Sequence, residues 1–273
     1  MEQCCCSTCS RSLRPRALSP IMAELRFKAI VLDLFDTLVN WNANLLPEME
    51  WHGRRIHSTL PWVLPRIEDA LGPVFEREKF LDVYLSVMEE INAEREREGI
   101  EITCTERFVR VFERLEVKNN GDLQALARAV TRIHMDGVRS VTSAPPNRVE
   151  AVRRLAQTYR LGMLSNFDDS TAGHQIIADT GVRDLFEAIV VSADVGLRKP
   201  NPAIFERVTT MLALGADDIL FVGDTPAHDV AGSKRAGMHA AWINRHGIAL
   251  PDGTPAPDIV IADLADLPAV LGC

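Results

Sequence analysis

The chain has 273 residues, 47% of them hydrophobic and 25% charged, a balance that suits a folded globular protein with one large domain or two modest ones. A formal net charge of −8 argues against a nucleic-acid partner. No apolar run reaches the roughly 18 residues that a membrane-spanning helix needs, so no membrane partner is expected either.

The first 22 residues differ from the rest: Cys4, Cys5, Cys6 and Cys9 precede Arg11, Arg14 and Arg16 among Ser and Pro. They lack the apolar core of a secretory signal. A disordered tail, a lipid-modified or metal-binding tag, and a translated segment upstream of a true start at Met22 compete as explanations. The tail or the upstream segment is preferred, because the ordered pattern begins right after Met22 and a zinc site lacks its second ligand pair. The body holds only Cys104 and Cys273, which is no disulfide framework and suits a reducing cytoplasm, the expected compartment.

The body opens with Ala29 to Leu32, an apolar run of the kind that forms a strand buried on both faces, and it ends in Asp33 and Asp36. From Asn40 to about Ser140 the pattern predicts no strand. It predicts helices over Pro61–Leu71, Glu76–Glu98, Thr105–Glu116 and Asp122–Val138, with Thr105 and Asp122 as helix starts. Phe80, Val83, Tyr84, Val87, Met88 and Ile91 fall on one helical stripe, and Glu94 to Glu98 reads as a solvated helix end. After Pro145-Pro146 the character changes. Strands at Leu161–Leu164, Phe186–Val191, Ile219–Val222, Ala240–Ile243 and Ile259–Ile261 alternate with helices at 147–159, 168–179, 202–212, 227–236 and 263–271. Such alternation predicts an α/β fold, a Rossmann-like parallel sheet flanked by helices. Its domains would be a core of 23–41 and 141–273 and a helical insertion of 42–140.

The polar residues that follow the strands are Asp33, Ser165, Lys199 after its loop, and Asp224; in a parallel sheet they meet on one edge. Asp33, Asp224 and Asp229 would repel one another there, and Mg²⁺, which prefers oxygen ligands, relieves this. Asp33 could then act as nucleophile, Ser165 and the Asn166 amide could receive an anionic oxygen, and Lys199 adds a fixed positive charge. Taken singly, each residue has a duller reading: Ser165-Asn166 as a capping turn, Lys199 as a surface lysine, Asp229 as a charge near a helix start. Their shared order after successive strands argues for a site.

The motifs Asp33-Leu-Phe-Asp-Thr37, Leu164-Ser-Asn166, Lys199-Pro200 and Gly223-Asp-Thr-Pro-Ala-His-Asp229 resemble the four ordered motifs of the haloacid-dehalogenase-like hydrolase superfamily. The resemblance covers Phe27 onward and implies a Rossmann-like core with a helical cap inserted after the first motif. It implies that Asp33 is the nucleophile and that Lys199 and Ser165 position the transferred group, with Thr37 and Asn166 also binding substrate. It further implies that Asp33, Asp224, Asp229 and the backbone carbonyl of Phe35 hold Mg²⁺. The expected partner is a small molecule, a phosphorylated or halogenated acid; no residue pattern argues for a particular oligomer.

One position departs from the pattern. Phosphatases of the superfamily usually carry a second aspartate two residues after the nucleophile as general acid and base, and here Phe35 stands there. Asp36 follows one residue later and is expected to point elsewhere. Phe35 therefore favours carbon–halogen chemistry, in which halide leaves without a proton, whereas Gly223-Asp224 looks like the metal-binding form found in phosphatases. Three readings follow: a Mg²⁺-dependent phosphohydrolase or phosphotransferase, a 2-haloacid dehalogenase, and a weakly active binding or regulatory protein. The first is preferred, since Asp224 and Asp229 are specific and Phe35 is a single change. It would need a good leaving group or an acid recruited from Glu48, His52 or His57; in the second, Arg54 or Arg55 could hold a carboxylate or halide. Trp41, Trp51 and Trp62 would line an apolar pocket or pack the cap.

Overall fold

The computed structural model describes residues 27–117 and 123–273. The expectations for the cysteine-rich start and for a helix beginning at Asp122 lie outside the described residues.

Six parallel strands form the central sheet: β1 (Ala29–Leu32), β6 (Arg160–Ser165), β7 (Phe186–Val191), β8 (Ile219–Gly223), β9 (His239–Ile243) and β10 (Ile259–Ile261). Their spatial order is β10-β9-β8-β1-β6-β7. The order reverses direction at β1, so the crevice between the carboxyl ends of β1 and β8 is the point where such sheets bind ligands. β1 shows why the run 29–32 is a strand: all four residues are buried, alternately on opposite faces. Ile30 and Leu32 pack with Val152, Leu155, Ile176 and Leu267, while Ala29 and Val31 pack with Ile204, Phe205, Val208 and Leu212. Side chains that alternate across a strand thus fill two cores at once. The helices supplying them are α5 (Pro146–Leu155), α6 (Ser170–Asp179) and α10 (Leu267–Leu271) on one face, and α8 (Pro202–Leu212) on the other. Short helices α7 (Ser192–Val195) and α9 (Ala231–Arg235) complete the layers.

Between β1 and β6 the chain forms α1 (Leu60–Leu71), α2 (Arg77–Glu98), α3 (Cys104–Arg114) and α4 (Leu123–Ser140). They share a separate apolar cluster built on Ile67, Phe80, Val87, Ile91, Phe108, Phe112 and Val130. Helix α3 starts one residue before the expected Thr105 because Thr103 caps it, accepting the Glu106 amide at 3.2 Å. The chain leaves the sheet through β2 (Asn40–Trp41) and returns through β5 (Thr142–Ser143), and these two strands pair antiparallel.

The insertion also contains an unexpected hairpin, β3 (Glu48–Trp51) paired with β4 (Arg54–His57). Its two-residue turn is His52-Gly53, both with positive φ (47° and 71°). A second correction concerns the end of α2. Arg95, expected on a solvated helix end, is buried and contacts Glu101 at 2.8 Å and Asp168 at 3.1 Å. Arg107 also reaches Asp168, at 3.4 Å, and the Asp168 carbonyl accepts the Cys104 amide at 2.8 Å. Asp168 lies just past β6, so these contacts fasten the inserted helices to the sheet beside the crevice. Among the described residues no helix is long and apolar enough to cross a membrane.

Candidate active site

Asp33 leaves β1 with its amide still bonded to the Val222 carbonyl of β8, at 2.9 Å, so its side chain stands at the carboxyl edge of the sheet. Asp224 follows β8 directly. Asp229 sits on the turn Pro226–Val230, whose width is set by an Ala231 amide that bonds back five residues to Pro226. Wide helical turns of this kind often occur at functional sites. Carboxylate oxygens of Asp33, Asp224 and Asp229 come within 4.8 Å of one another. Gly223 makes this approach feasible, because a Cβ there would lie 2.4 Å from Asp229 Cγ.

Lys199 is buried among these acids and donates from Nζ to Asp33 Oδ1 and to Asp229 Oδ1, both at 2.7 Å. Asn166 fixes the lysine: its amide group donates to the Lys199 carbonyl at 2.9 Å and its oxygen accepts the Lys199 amide at 2.7 Å. The side chain of Asn166 is therefore used to hold Lys199, whose bond to Pro200 is cis. Asp229 is held in the same manner, with Oδ2 accepting the Thr225 amide at 2.9 Å. Asp224 Oδ1 accepts the Thr225 hydroxyl at 3.3 Å.

One ammonium does not balance three acids. Burial, with the neighbouring Asp229 and Asp224 adding to it and Lys199 opposing, pushes the Asp33 carboxyl up to about 7. Burial with Asp229 and Asp36 raises Asp224 to about 6. Lys199 is raised as well: burial opposes its charge, and Asp229 and Asp33 outweigh burial. A cluster of hard oxygen donors short of positive charge fits a divalent cation such as Mg²⁺. Two fully buried hydroxyls, Thr37 Oγ1 and Ser165 Oγ, have no hydrogen-bond partner among the described residues, which is a costly state unless a ligand supplies one, although neither residue lines the cavity beside the acids.

The acids and Lys199 line a cavity of about 240 Å³ together with Phe35, Asn166 and Thr225. Phe35 packs against Phe167 at 5.0 Å between ring centroids, placing an aromatic wall two residues after Asp33. Asp36, expected to point elsewhere, also lines this cavity, with a φ of 54° and its carboxylate 3.8 Å from Arg245. The structure does not bring Glu48, His52, His57, Arg54 or Arg55 to the cavity. All five belong to the hairpin: Arg55 pairs with Glu48 at 3.3 Å, His52 with Asp82 at 3.0 Å, and His57 with the Leu46 carbonyl at 2.9 Å. Trp41 and Trp62 are exposed and Trp51 packs on the helical cluster, so none of the three lines the cavity. Arg198, Thr225 and His228 line the cavity as well, beyond the residues expected there. Thr225 and His228 lie inside the fourth motif and Arg198 adjoins Lys199, which is the signal the sequence offers for them.

A six-stranded parallel sheet of this order, flanked by helices, with an acid after its first strand and an acid-rich turn after its fourth, is an α/β Rossmann-like fold with a cluster of acids in its switch-point crevice. The family model for haloacid dehalogenase-like hydrolases matches residues 27–237, and the chain belongs to that family of hydrolases. It is 34% identical to human N-acylneuraminate-9-phosphatase over 118 residues, 43% of this chain and 47% of that one. It is 30% identical to the pyrimidine 5'-nucleotidase YjjG of Escherichia coli (strain K12) over 173 residues, 60% of this chain and 69% of that one. It is 33% identical to haloacetate dehalogenase H-2 of Moraxella sp. (strain B) over 112 residues, 41% of this chain and 49% of that one. The matches thus span about half the length of most of these curated relatives. Among solved structures, a 2-haloacid dehalogenase from Pseudomonas syringae pv. Tomato DC3000 superposes with a TM-score of 0.65 at 26% identity, over 90% of this chain and 98% of that one. Relatives therefore include both phosphatases and dehalogenases.

Proposed function

We propose that the protein is a Mg²⁺-dependent phosphohydrolase or phosphotransferase acting on a small molecule, with residues 42–140 as a cap over the crevice. The observation that carries this reading is the gathering of Asp33, Asp224 and Asp229 around one ammonium, Lys199. Asp33 and Asp224 would hold the metal, with Asp229 and the Phe35 carbonyl beside them; bound there, Mg²⁺ would neutralise charge on the phosphoryl oxygens. The free oxygen of Asp33 attacks phosphorus, the bond from phosphorus to the leaving oxygen breaks, and its electron pair departs with that oxygen. Water then attacks the aspartyl phosphate at phosphorus, loses a proton to solvent, and releases phosphate with Asp33 restored. Lys199 keeps Asp33 oriented and ionised, and Asn166 keeps Lys199 in place. The buried hydroxyls of Thr37 and Ser165 would donate to phosphoryl oxygens.

No acid stands at position 35, and general acid–base help is worth about 10²–10⁴-fold. Substrates whose leaving group departs unprotonated are therefore favoured, such as acyl phosphates. A second reading, a 2-haloacid dehalogenase with Asp33 attacking the halogen-bearing carbon, draws support from the aromatic wall of Phe35 and Phe167. Assays of acetyl phosphate, p-nitrophenyl phosphate and 2-chloropropionate, each with Mg²⁺ and with EDTA, separate the two. Phosphate release that EDTA abolishes is expected. Chloride release that persists in EDTA would replace the first reading with the second. An Asp33→Asn variant with full activity would remove both.

A further inference from the structure

Of the two cations on the cavity wall, only one is committed to the acids. Lys199 is held by Asp33 and Asp229. Arg198, the residue before it, has one ion pair among the described residues, with Glu101 Oε1 at 3.5 Å, beyond a good hydrogen bond. Glu101 is already satisfied: Oε1 faces Arg95 at 2.8 Å and accepts the Ile102 amide at 3.1 Å, and Oε2 accepts the Ser192 hydroxyl at 2.6 Å. Arg198 thus lines the cavity, and its guanidinium makes no hydrogen bond among the described residues.

Its position is fixed from behind. Ile100, between α2 and α3, forms an antiparallel bridge with Leu197; the Arg198 amide donates to the Gly99 carbonyl at 3.1 Å and the Glu101 amide to Gly196 at 2.9 Å. The side chain is 18% exposed, so little conformational freedom remains to be lost when a ligand binds. Burial draws the guanidinium below its usual range, with Arg95 adding to that and Glu101 opposing, as expected for a cation whose counter-charge is shared.

A half-buried planar fork suits a planar anion that can accept two parallel hydrogen bonds. The cavity already carries four carboxylates, Asp33, Asp36, Asp224 and Asp229, so a singly charged group is less repelled there than a second phosphate. We propose that Arg198 is a specificity-determining residue that binds a carboxylate on the leaving group, so that the preferred substrate is a phosphorylated carboxylic acid. This rests on the reading of the Asp33 cavity as a phosphoryl-transfer site.

The test compares phosphate release from phenyl phosphate and from 3- and 4-carboxyphenyl phosphate by the wild type, Arg198→Ala and Arg198→Lys. A charged hydrogen-bonded contact predicts a kcat/KM preference for a carboxylated ester of about 10–100-fold, read mainly in KM. Arg198→Ala should abolish that preference, and Arg198→Lys, which keeps the charge but not the fork, should restore part of it. Folding is controlled by circular dichroism, and Glu101 retains Arg95 and Ser192 in both variants. A wild type without the preference, a preference that survives in Arg198→Ala, or an equal loss on all three esters overturns the assignment while leaving the phosphatase reading intact. No phosphate release from any ester while acetyl phosphate is turned over overturns this assignment alone, and no release from acetyl phosphate either overturns the phosphatase reading and this one with it.

Discussion

Gly223→Ala tests whether the closeness of the acids matters to both fold and activity. The added methyl would lie 2.4 Å from Asp229 Cγ and Oδ2 and 2.6 Å from its Cβ. Asp229 must retreat by on the order of 1 Å to restore ordinary contact. That movement stretches two bonds at once, Lys199 Nζ to Oδ1 at 2.7 Å and the Thr225 amide to Oδ2 at 2.9 Å. Overpacking a tight site costs about 1–3 kcal/mol, and weakening a charged hydrogen bond adds about 1 kcal/mol or more. The expected sum of about 2–4 kcal/mol lowers Tm by on the order of 10 °C. Activity should fall by about 10²-fold, since Lys199 and Asp33 shift together with Asp229. Gly215→Ala is the matched control, because its Cβ would meet only the end of the exposed Asp217 side chain, at 2.6 Å, which can swing away. Thermal melts followed by circular dichroism and acetyl phosphate turnover would read both effects. A Gly223→Ala protein with wild-type Tm and turnover would refute the reasoning that this glycine holds the cluster together.

Lys199→Met leaves Asp33 and Asp229 buried without their ammonium; a loss of about 3–5 kcal/mol is expected in urea unfolding, larger at pH 8 than at pH 5, where protonation of Asp33 relieves the cluster. His134 concerns a different region. Its Nε2 accepts from Arg107 at 3.3 Å, so its proton sits on Nδ1, facing the Thr59 hydroxyl at 2.5 Å, and burial together with Arg107 lowers its pKa to about 3. Because the unfolded chain binds this proton below about 6.5 and the folded chain does not, stability should fall between pH 6.5 and 3, by on the order of 2 kcal/mol at pH 4.5. His134→Asn, which keeps a donor towards Thr59, should flatten that acid limb in denaturant melts, and an unchanged slope would count against the assignment. Phe35→Asp should raise turnover of alkyl phosphates relative to acetyl phosphate, with a ceiling of about 10²–10⁴-fold, while removal of the Phe167 contact costs about 1–3 kcal/mol; an unchanged ratio of the two rates would refute the role given to position 35.

The parallel core was legible because Ile30, Leu32, Met163 and Val222 belong to short apolar runs that end abruptly in polar residues, and the acids and Lys199 follow those runs. The hairpin was not, since Met49 and Trp51 alternate with exposed acids and its turn is His52-Gly53 rather than an Asn-Gly signal. Charge near the first motif in sequence proved a poor guide to charge near Asp33 in space. Arg54 and Arg55 lie within about twenty residues of Asp33 and miss the cavity, while Arg198 reaches it through a pairing with Gly99 and Glu101. Such a pairing joins segments about a hundred residues apart, and no local period encodes it. The buried Arg95 escaped for a related reason: alternating charge at a helix end signals solvent until Asp168 and Glu101 are known to cover it.

The two surviving chemistries differ in what they ask of the acids. Displacing halide from carbon needs Asp33 ionised and its product anion received, and extra carboxylates nearby raise the cost of both. Asp224 contributes nothing to that reaction, yet burial and Asp229 push it up to about 6, a cost the fold sustains with Gly223 cleared to let Asp229 close. Such an arrangement is stabilised by a divalent cation and an anion that arrive together, as in phosphoryl transfer. Phe35 does not reverse this balance; it removes a proton donor and leaves the charge pattern unaltered. On the proposed phosphoryl-transfer reading, the acids would receive the transferred group, Phe35 would limit the leaving groups that can accompany it, and Arg198, which lines the same cavity, would read the remainder of the substrate.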